Sequence, residues 1–382
     1  MKILIVGGGI VGLSAAWALS RLGHEAVVFD QGPIPNPKAA SYDQHRMIRL
    51  LYPGNPGYAR MVLEAFGAWE RLWDDLGAPY FADTGVLTLG GPGLVQGGED
   101  GGGSAEAARE VLDQLGHVYE ILDRPQIEEL CPYFRLPEET WGLSVGPSGP
   151  LFADRIVSAL AAHLERIGVD LRPERRVTGI DPLAGSITLA DGARERGDAV
   201  IVCVGAWIGK LLPHFASGLA AQRQAVCYLE PPERYAAAWR DGPAHDLGRH
   251  DAPYILPPVA GTGLKFGTGP QQRLGDPDDA RQPDPGEGET LFSQLAPYLK
   301  EPEDYRLSEV RICYYATAAT PRSDDRFLTE RQGRCIIVTN CSGHMFKFGA
   351  VLGEQLALAA TEQLDFARFA RWAAGDFETK AA

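Results

Sequence analysis

The sequence contains no CxxC pair, no HxH or HExxH, and no apolar run of the ~18 residues that a membrane helix needs. Its six cysteines, Cys131, Cys203, Cys227, Cys313, Cys335 and Cys341, fall at irregular intervals in 382 residues. That excludes a disulfide framework and reads as free thiols in a reducing compartment. The eight histidines are scattered, so no metal site is expected. Positive charge is scarce: 36 Lys and Arg stand against 50 Asp and Glu, a formal net charge of -14. This argues against nucleic acid or an anionic membrane as partner. The apolar stretch "ILIVGGGIVGL" is short, broken by glycine and without the flanks of a signal peptide. The end, "TKAA", is no peroxisomal signal, so the cytoplasm is the expected location. No internal repeat is visible. What the chain does have is apolar surface, at 45 % hydrophobic enough for a large core and two domains.

The most specific stretch is the first, "KILIVGGGIVGLSAAWALSRLGHEAVVFDQ". Ile3 to Val6 predicts a buried strand, Leu13 to Leu22 a helix, and Ala26 to Phe29 a second strand ending at Asp30. Between strand and helix, Gly7, Gly9 and Gly12 spell GxGxxG. Gly7 permits the tight turn, Gly9 lets backbone approach a pyrophosphate, and Gly12 lets the helix lie against the strand. Asp30, at the second strand's end, can accept hydrogen bonds from ribose hydroxyls. Together these parts predict a dinucleotide site, without separating FAD from NAD.

Further along, Tyr58 to Leu76 predicts a long amphipathic helix and Thr84 to Gly90 a strand. The glycine-rich run from Gly91 to Ser104 reads as a surface loop. "LFADRIVSALAAHLERIGVDLRPERRVTGI" reads as a helix and a strand returning to the nucleotide domain, and "DAVIVCVGAWIGKLL" as a buried strand closing on Gly205. From Ala221 to Val310 short β runs and one helix, near Glu289 to Leu299, suggest the sheet of a second domain. "CSGHMFKFGAVLGEQLALAA" is a glycine turn feeding a helix.

Four separated motifs, the front GxGxxG, "SYDQHRMIR", "GLKFG", and "RICYYA" with "CSGHMFKF", make the chain resemble the glycine-oxidase/D-amino-acid-oxidase flavoprotein superfamily. The nearest resemblance is to the monomeric sarcosine oxidase and N-methyltryptophan oxidase branch, over about residues 1 to 372. It implies a mixed α/β (α+β) fold: a Rossmann-type FAD-binding domain of discontinuous segments (1–84, 146–217 and 322–372) and a substrate domain with a mostly antiparallel sheet and helices (85–145 and 218–321). Residues 373–382 would be a C-terminal tail. It also implies FAD, a small amino-acid substrate oxidised at a C–N bond, dioxygen as electron acceptor, and a monomer.

The resemblance assigns roles to particular residues. Arg46 would lie near the flavin ring and Arg49 would bind the substrate carboxylate, bidentate as guanidinium geometry favours; if "HRMIR" is helical, the two share a face. Without the family, both read as surface arginines. Ser41 would contact flavin or phosphate, and Val177 and Gly205 would face the cofactor. Lys265, between Leu264 and Phe266 in a strand, is either an edge residue reaching solvent or a buried cation; the resemblance makes it the cation that assists electron transfer to oxygen. Tyr254 and Tyr315 are pocket tyrosines or core aromatics. Cys313 is either a small hydrophobe in a β segment or the cysteine joined to the flavin by a thioether. Gly343 and Gly349 would let backbone approach the ring, and His344 and Lys347, at a helix N-terminus, would suit the negative charge of reduced flavin and a substrate carboxylate.

Three departures stand out. Tyr42 and Met345 replace glycines common in the family. Gly269 occupies the position where sarcosine-specific members carry histidine, which implies a different, bulkier or cyclic amine. The expectation is therefore an FAD-dependent oxidase of a secondary or cyclic amino acid. The alternatives are a flavin dehydrogenase of amino or 2-hydroxy acids with another acceptor and, more remotely, a non-catalytic nucleotide-binding protein.

Overall fold

Short apolar runs buried on both faces are what a parallel sheet requires, and "ILIV" and "AVVF" form such a sheet. In the computed structural model, which describes residues 1–91, 104–247, 252–269, 272–320 and 325–377, six strands lie side by side. From edge to edge they are Leu328–Gln332, Cys335–Thr339, Ala199–Val202, Lys2–Val6, Glu25–Phe29 and Asp170–Arg172. All but the first are parallel. Alternation along the strands divides the side chains: Ile3 and Ile5 join the core under helices Ile10–Arg21, Pro56–Leu76, Ala153–Arg166 and Gly349–Ala360. Leu4 and Val6 pack on the other side against Ile187 and Leu189 of a small antiparallel sheet.

A second, nine-stranded sheet is mostly antiparallel. Its path runs Arg273–Leu274, Leu219–Glu230, Leu264–Gly267, Tyr254–Leu256, Ala244–Asp246, Val86–Gly90, Trp141–Val145 and Glu120–Leu122, with Arg306–Ala318 on the far side of Leu219–Glu230. One face packs on a core of its own that includes Phe134, Trp239, Leu291 and Phe266. The other looks towards the front of the six-stranded sheet.

Several expectations change. "HRMIR" is not helical: Arg46–Ile48 is a strand paired with Gly149–Leu151. The i,i+3 spacing of its arginines imitates a helix, but the backbone bonds to a partner a hundred residues away decide the conformation. The region 221–310 holds a second helix, Glu233–Asp241, besides Glu287–Leu295, and two long strands rather than only short ones. Residues 92–103 of the glycine-rich run and 378–382 of the tail lie outside the described residues. Residues 373–377 are not a loose end: Gly375 packs so closely on Gly57 that a Cβ there would sit 1.8 Å from its carbonyl oxygen.

Candidate active site

One cavity of about 1580 Å³ is lined by residues from both sheets. Its first end is the glycine turn. Gly7 has φ +112, and a Cβ there would come within 2.5 Å of the Cys203 carbonyl oxygen. A Cβ on Gly12 would sit 1.9 Å from the carbonyl oxygen of Gly7, so only glycine lets the helix start this close to the turn. The helix N-cap, Gly9, carries no capping side chain and no acid lies in the first turn, which leaves the positive end of the helix to an anion. Ser41 Oγ, at 3.0 Å, accepts from Ile10 N. Asp30 accepts from Gly8 N (2.8 Å), Gly32 N (2.9 Å) and Asn36 Nδ2 (2.8 Å), which ties the turn to the end of the second strand.

The nine-stranded sheet forms the other wall, and its chemistry falls on alternate positions. Gln224, Val226, Tyr254, Lys265, Cys313, Tyr315 and Asp246 line the cavity, while Ala225, Cys227, Ile255, Phe266 and Ile312 fill the core behind. Lys265 is fully buried, in register with Tyr228 on one side and Leu256 on the other. Its Nζ donates to Asp43 Oδ2 at 2.6 Å and to the His45 carbonyl at 2.9 Å. Arg46 also pairs with Asp43 and donates to the Ala40 carbonyl. The Tyr228 hydroxyl donates to Asp43 Oδ1 at 2.5 Å, and Arg311 stands 3.5 Å from it. Burial alone would raise the Asp43 carboxyl; Lys265 and Arg46 instead hold it far below the carboxylate range. Burial draws Lys265 down to about 8, against the pull of Asp43. Burial raises the Cys313 thiol, although Arg46 opposes this.

The third group lies where the first sheet's last helix begins. Arg49 pairs with Asp246 at 2.8 Å and also donates to the Leu51 carbonyl. Lys347, 6 % exposed, sits in the 3₁₀ turn Met345–Phe348 ahead of helix Gly349–Ala360. Its Nζ donates to the Tyr52 hydroxyl at 3.0 Å and lies 5.0 Å from the centre of the Tyr52 ring. Tyr52 in turn meets His344 Nδ1 at 3.0 Å, and His344 Nε2 donates to the Asp325 carbonyl at 2.9 Å. Burial, with Lys347 next in strength, lowers His344 to about 3, which favours the neutral imidazole.

Of the residues singled out from sequence, Gly7, Gly9, Asp30, Ser41, Arg46, Arg49, Val177, Gly205, Tyr254, Lys265, Cys313, Tyr315, Gly343, His344 and Lys347 all line this cavity; Gly12 acts just behind it. Gly349 serves another purpose than expected: a Cβ there would meet Ile10 Cγ1 at 2.4 Å, so its smallness lets two helices cross. The sequence reading missed Asp43, Asp246 and Tyr52. Asp43 carried a signal, being a carboxylate three residues from Arg46 in a motif already singled out; Asp246 in "AHD" carried none. It also passed over Gly142 to Gly146, which spell GxSxG. Ser144 lies inside strand Trp141–Val145, paired with Leu87 and Glu120, and not on a strand-to-helix turn, so it makes no nucleophile elbow.

A family model described as FAD dependent oxidoreductase (DAO) matches residues 2–359. The chain belongs to this family. Among curated relatives, the monomeric sarcosine oxidase of Bacillus sp. (strain B-0618) is 26 % identical over 96 % of this chain and 94 % of its own. The N-methyl-L-tryptophan oxidase of Yersinia pestis (strain Pestoides F) is 24 % identical over 94 % and 95 %. Similar solved structures include NikD, an amino acid oxidase essential for nikkomycin biosynthesis (TM-score 0.77, 21 % identity, 96 % of both chains). A modified fructosyl peptide oxidase from Aspergillus nidulans has TM-score 0.79 and 20 % identity over 96 % of this chain and 91 % of that one. These last two establish likeness of fold.

The residues present fit FAD. The glycine turn and uncapped helix suit a pyrophosphate and Asp30 a ribose. The cavity exceeds the roughly 300–1,000 Å³ of an ordinary ligand pocket, leaving room for a dinucleotide and a small substrate. This chain is a flavin-dependent oxidoreductase.

Proposed function

We propose that the protein is an FAD-dependent oxidase of a secondary or cyclic amino acid, forming an imine and hydrogen peroxide. The observation that carries this reading is a single cavity with the dinucleotide turn at one end and Arg49 and Lys347 at the other. Two nitrogen donors side by side suit a substrate carboxylate, and a guanidinium can hold it bidentate. Tyr254 and Tyr315 stand on the same wall and bound the substrate's other side. Bound FAD would supply the two-electron acceptor and pass both electrons to dioxygen. Arg49 and Lys347 orient the substrate, and the tyrosines exclude water from it. Lys265 places a cation in a dry site where charge develops on oxygen. Cys313, on the face of strand Arg306–Ala318 that lines the cavity, is the residue that would hold the flavin covalently, through a thioether. The names of the curated relatives support an N-substituted amino acid, and Gly269 supports one other than sarcosine. The separation of strands between sheets supports an FAD-binding unit of 1–84, 146–217 and 322–372. A monomeric, cytoplasmic protein completes the reading; among the described residues no helix is long and apolar enough to cross a membrane.

The Lys265–Asp43 pair favours a second reading, because a carboxylate 2.6 Å away offsets the charge that would assist oxygen. A dehydrogenase using another acceptor would have this feature. A screen of N-methyl, cyclic and primary amino acids under air separates the two. Flavin bleaching with peroxide supports the oxidase, bleaching that persists in air without peroxide supports the dehydrogenase, and no bleaching by any amine removes the oxidase and leaves the dehydrogenase only 2-hydroxy acids. Acid precipitation tests Cys313: flavin left in the supernatant sinks the covalent link.

A further inference from the structure

A secondary amino acid arrives at neutral pH as a zwitterion, yet only the neutral amine has the lone pair that assists loss of the neighbouring hydrogen. The proton on nitrogen must therefore go somewhere. We propose that Lys347 is its acceptor: the lysine enters the encounter as a neutral amine, takes the substrate's ammonium proton, and as an ammonium becomes the second grip on the substrate carboxylate. This rests on the carboxylate clamp described above. The step balances, since one N–H bond breaks on the substrate, one forms on Nζ, and the net charge of the complex is unchanged.

The geometry around Nζ points this way. Among the described residues it has one hydrogen-bond partner, the Tyr52 hydroxyl. The Asp325 carbonyl can only accept, so His344 carries its hydrogen on Nε2 and Nδ1 is the acceptor. Tyr52 then donates to Nδ1 and turns lone pairs towards Lys347. This directed chain satisfies one N–H of the lysine; an ammonium would bury two more without a protein acceptor. The charges facing Nζ are Arg49, which repels a cation, and Asp246, already paired with Arg49 at 2.8 Å. The other titratable groups are Cys341, a thiol that burial raises, and His344, neutral. Burial and then Arg49 hold Lys347 well below the ordinary lysine range, and the negative charge of a bound carboxylate would reverse that balance.

The test uses carboxylates that carry no ammonium, propionate and pyrrole-2-carboxylate, on the holoenzyme at neutral pH in weak buffer. The flavin spectrum reports occupancy and an indicator dye reports protons. With no ammonium on the ligand, Lys347 must draw its proton from solvent, so saturation should take up about one proton per site. Lys347→Arg, a cation at every accessible pH, should bind the same acids with that uptake lost. Carboxylate binding without uptake in the wild type overturns the proposal and leaves the clamp standing. Uptake that persists in Lys347→Arg also overturns it. No spectral change with either acid overturns clamp and proposal together, while the oxidase reading is judged separately by peroxide.

Discussion

At the scale of the residue, the site is governed by how buried charges are shared. Lys265, Arg46 and Arg311 converge on Asp43, so Asp43→Asn would leave buried cations without their counter-charge, at about 3–5 kcal/mol of stability. Because the Asp43 carboxyl is held far below its unfolded value, its contribution is complete above pH ~4 and fades only in strong acid. Removing that carboxylate also removes the pull that keeps Lys265 charged, so the melting-temperature gap between wild type and Asp43→Asn should widen as pH falls from 8 to 5. Lys265 behaves differently. Lowered to about 8, its ammonium loses its proton as pH rises through that value, so reoxidation of reduced enzyme by oxygen should slow above it. In Lys265→Met, stopped-flow reoxidation should be ~10²–10³-fold slower and lose this pH dependence, with anaerobic reduction changed only a few-fold. Arg49→Lys should raise KM by about 10–100-fold with little effect on kcat, since a point charge replaces a bidentate fork. An unchanged KM would remove Arg49 from the clamp.

At the scale of the element, glycine sets how closely helices approach. Helix Gly349–Ala360 crosses helix Ile10–Arg21 at Gly353, where a Cβ would lie 2.5 Å from the Ser14 carbonyl carbon. Gly353→Ala should destabilise by ~1–3 kcal/mol. It should also weaken carboxylate binding, because the turn that carries Lys347 leads directly into this helix; calorimetry and the flavin spectrum would read the two effects. The helix itself was legible in "GAVLGEQLALAA", but not that its glycines face another helix. The strand carrying Arg46 was misread because three residues give too short a pattern to distinguish its period. The sheet wall was half legible: "GLKFG" alternates, so Lys265 must face away from Leu264 and Phe266. Which face held the cofactor depended on the packing of the two sheets.

At the scale of the whole molecule, His45 and His245 are fully buried and lie in separate parts of the structure. Burial lowers each to about 3, so between that value and the unfolded ~6.5 the unfolded chain binds more protons, and stability falls as pH falls. Each withdraws about 1.4 kcal/mol per pH unit over that window, against a total of ~5–15 kcal/mol for a typical domain. His344, lowered in the same way, adds to this, so the melting temperature should drop steeply below pH ~6, and His245→Gln, which removes one of these protons, should lessen the slope. A flat profile from pH 7 to 5 would contradict this. By itself the sequence determined the dinucleotide end, because GxGxxG, its flanking strands and Asp30 form one local unit whose geometry follows from contiguous residues. With the family resemblance it also pointed to fifteen of the residues that line the cavity. Only the tertiary structure decided their partners: Asp43 for Lys265, Asp246 for Arg49 and Tyr52 for Lys347. Those pairs join residues up to 295 positions apart, and a charge's neighbours in a buried site are set by the packing of distant strands, which no local pattern records.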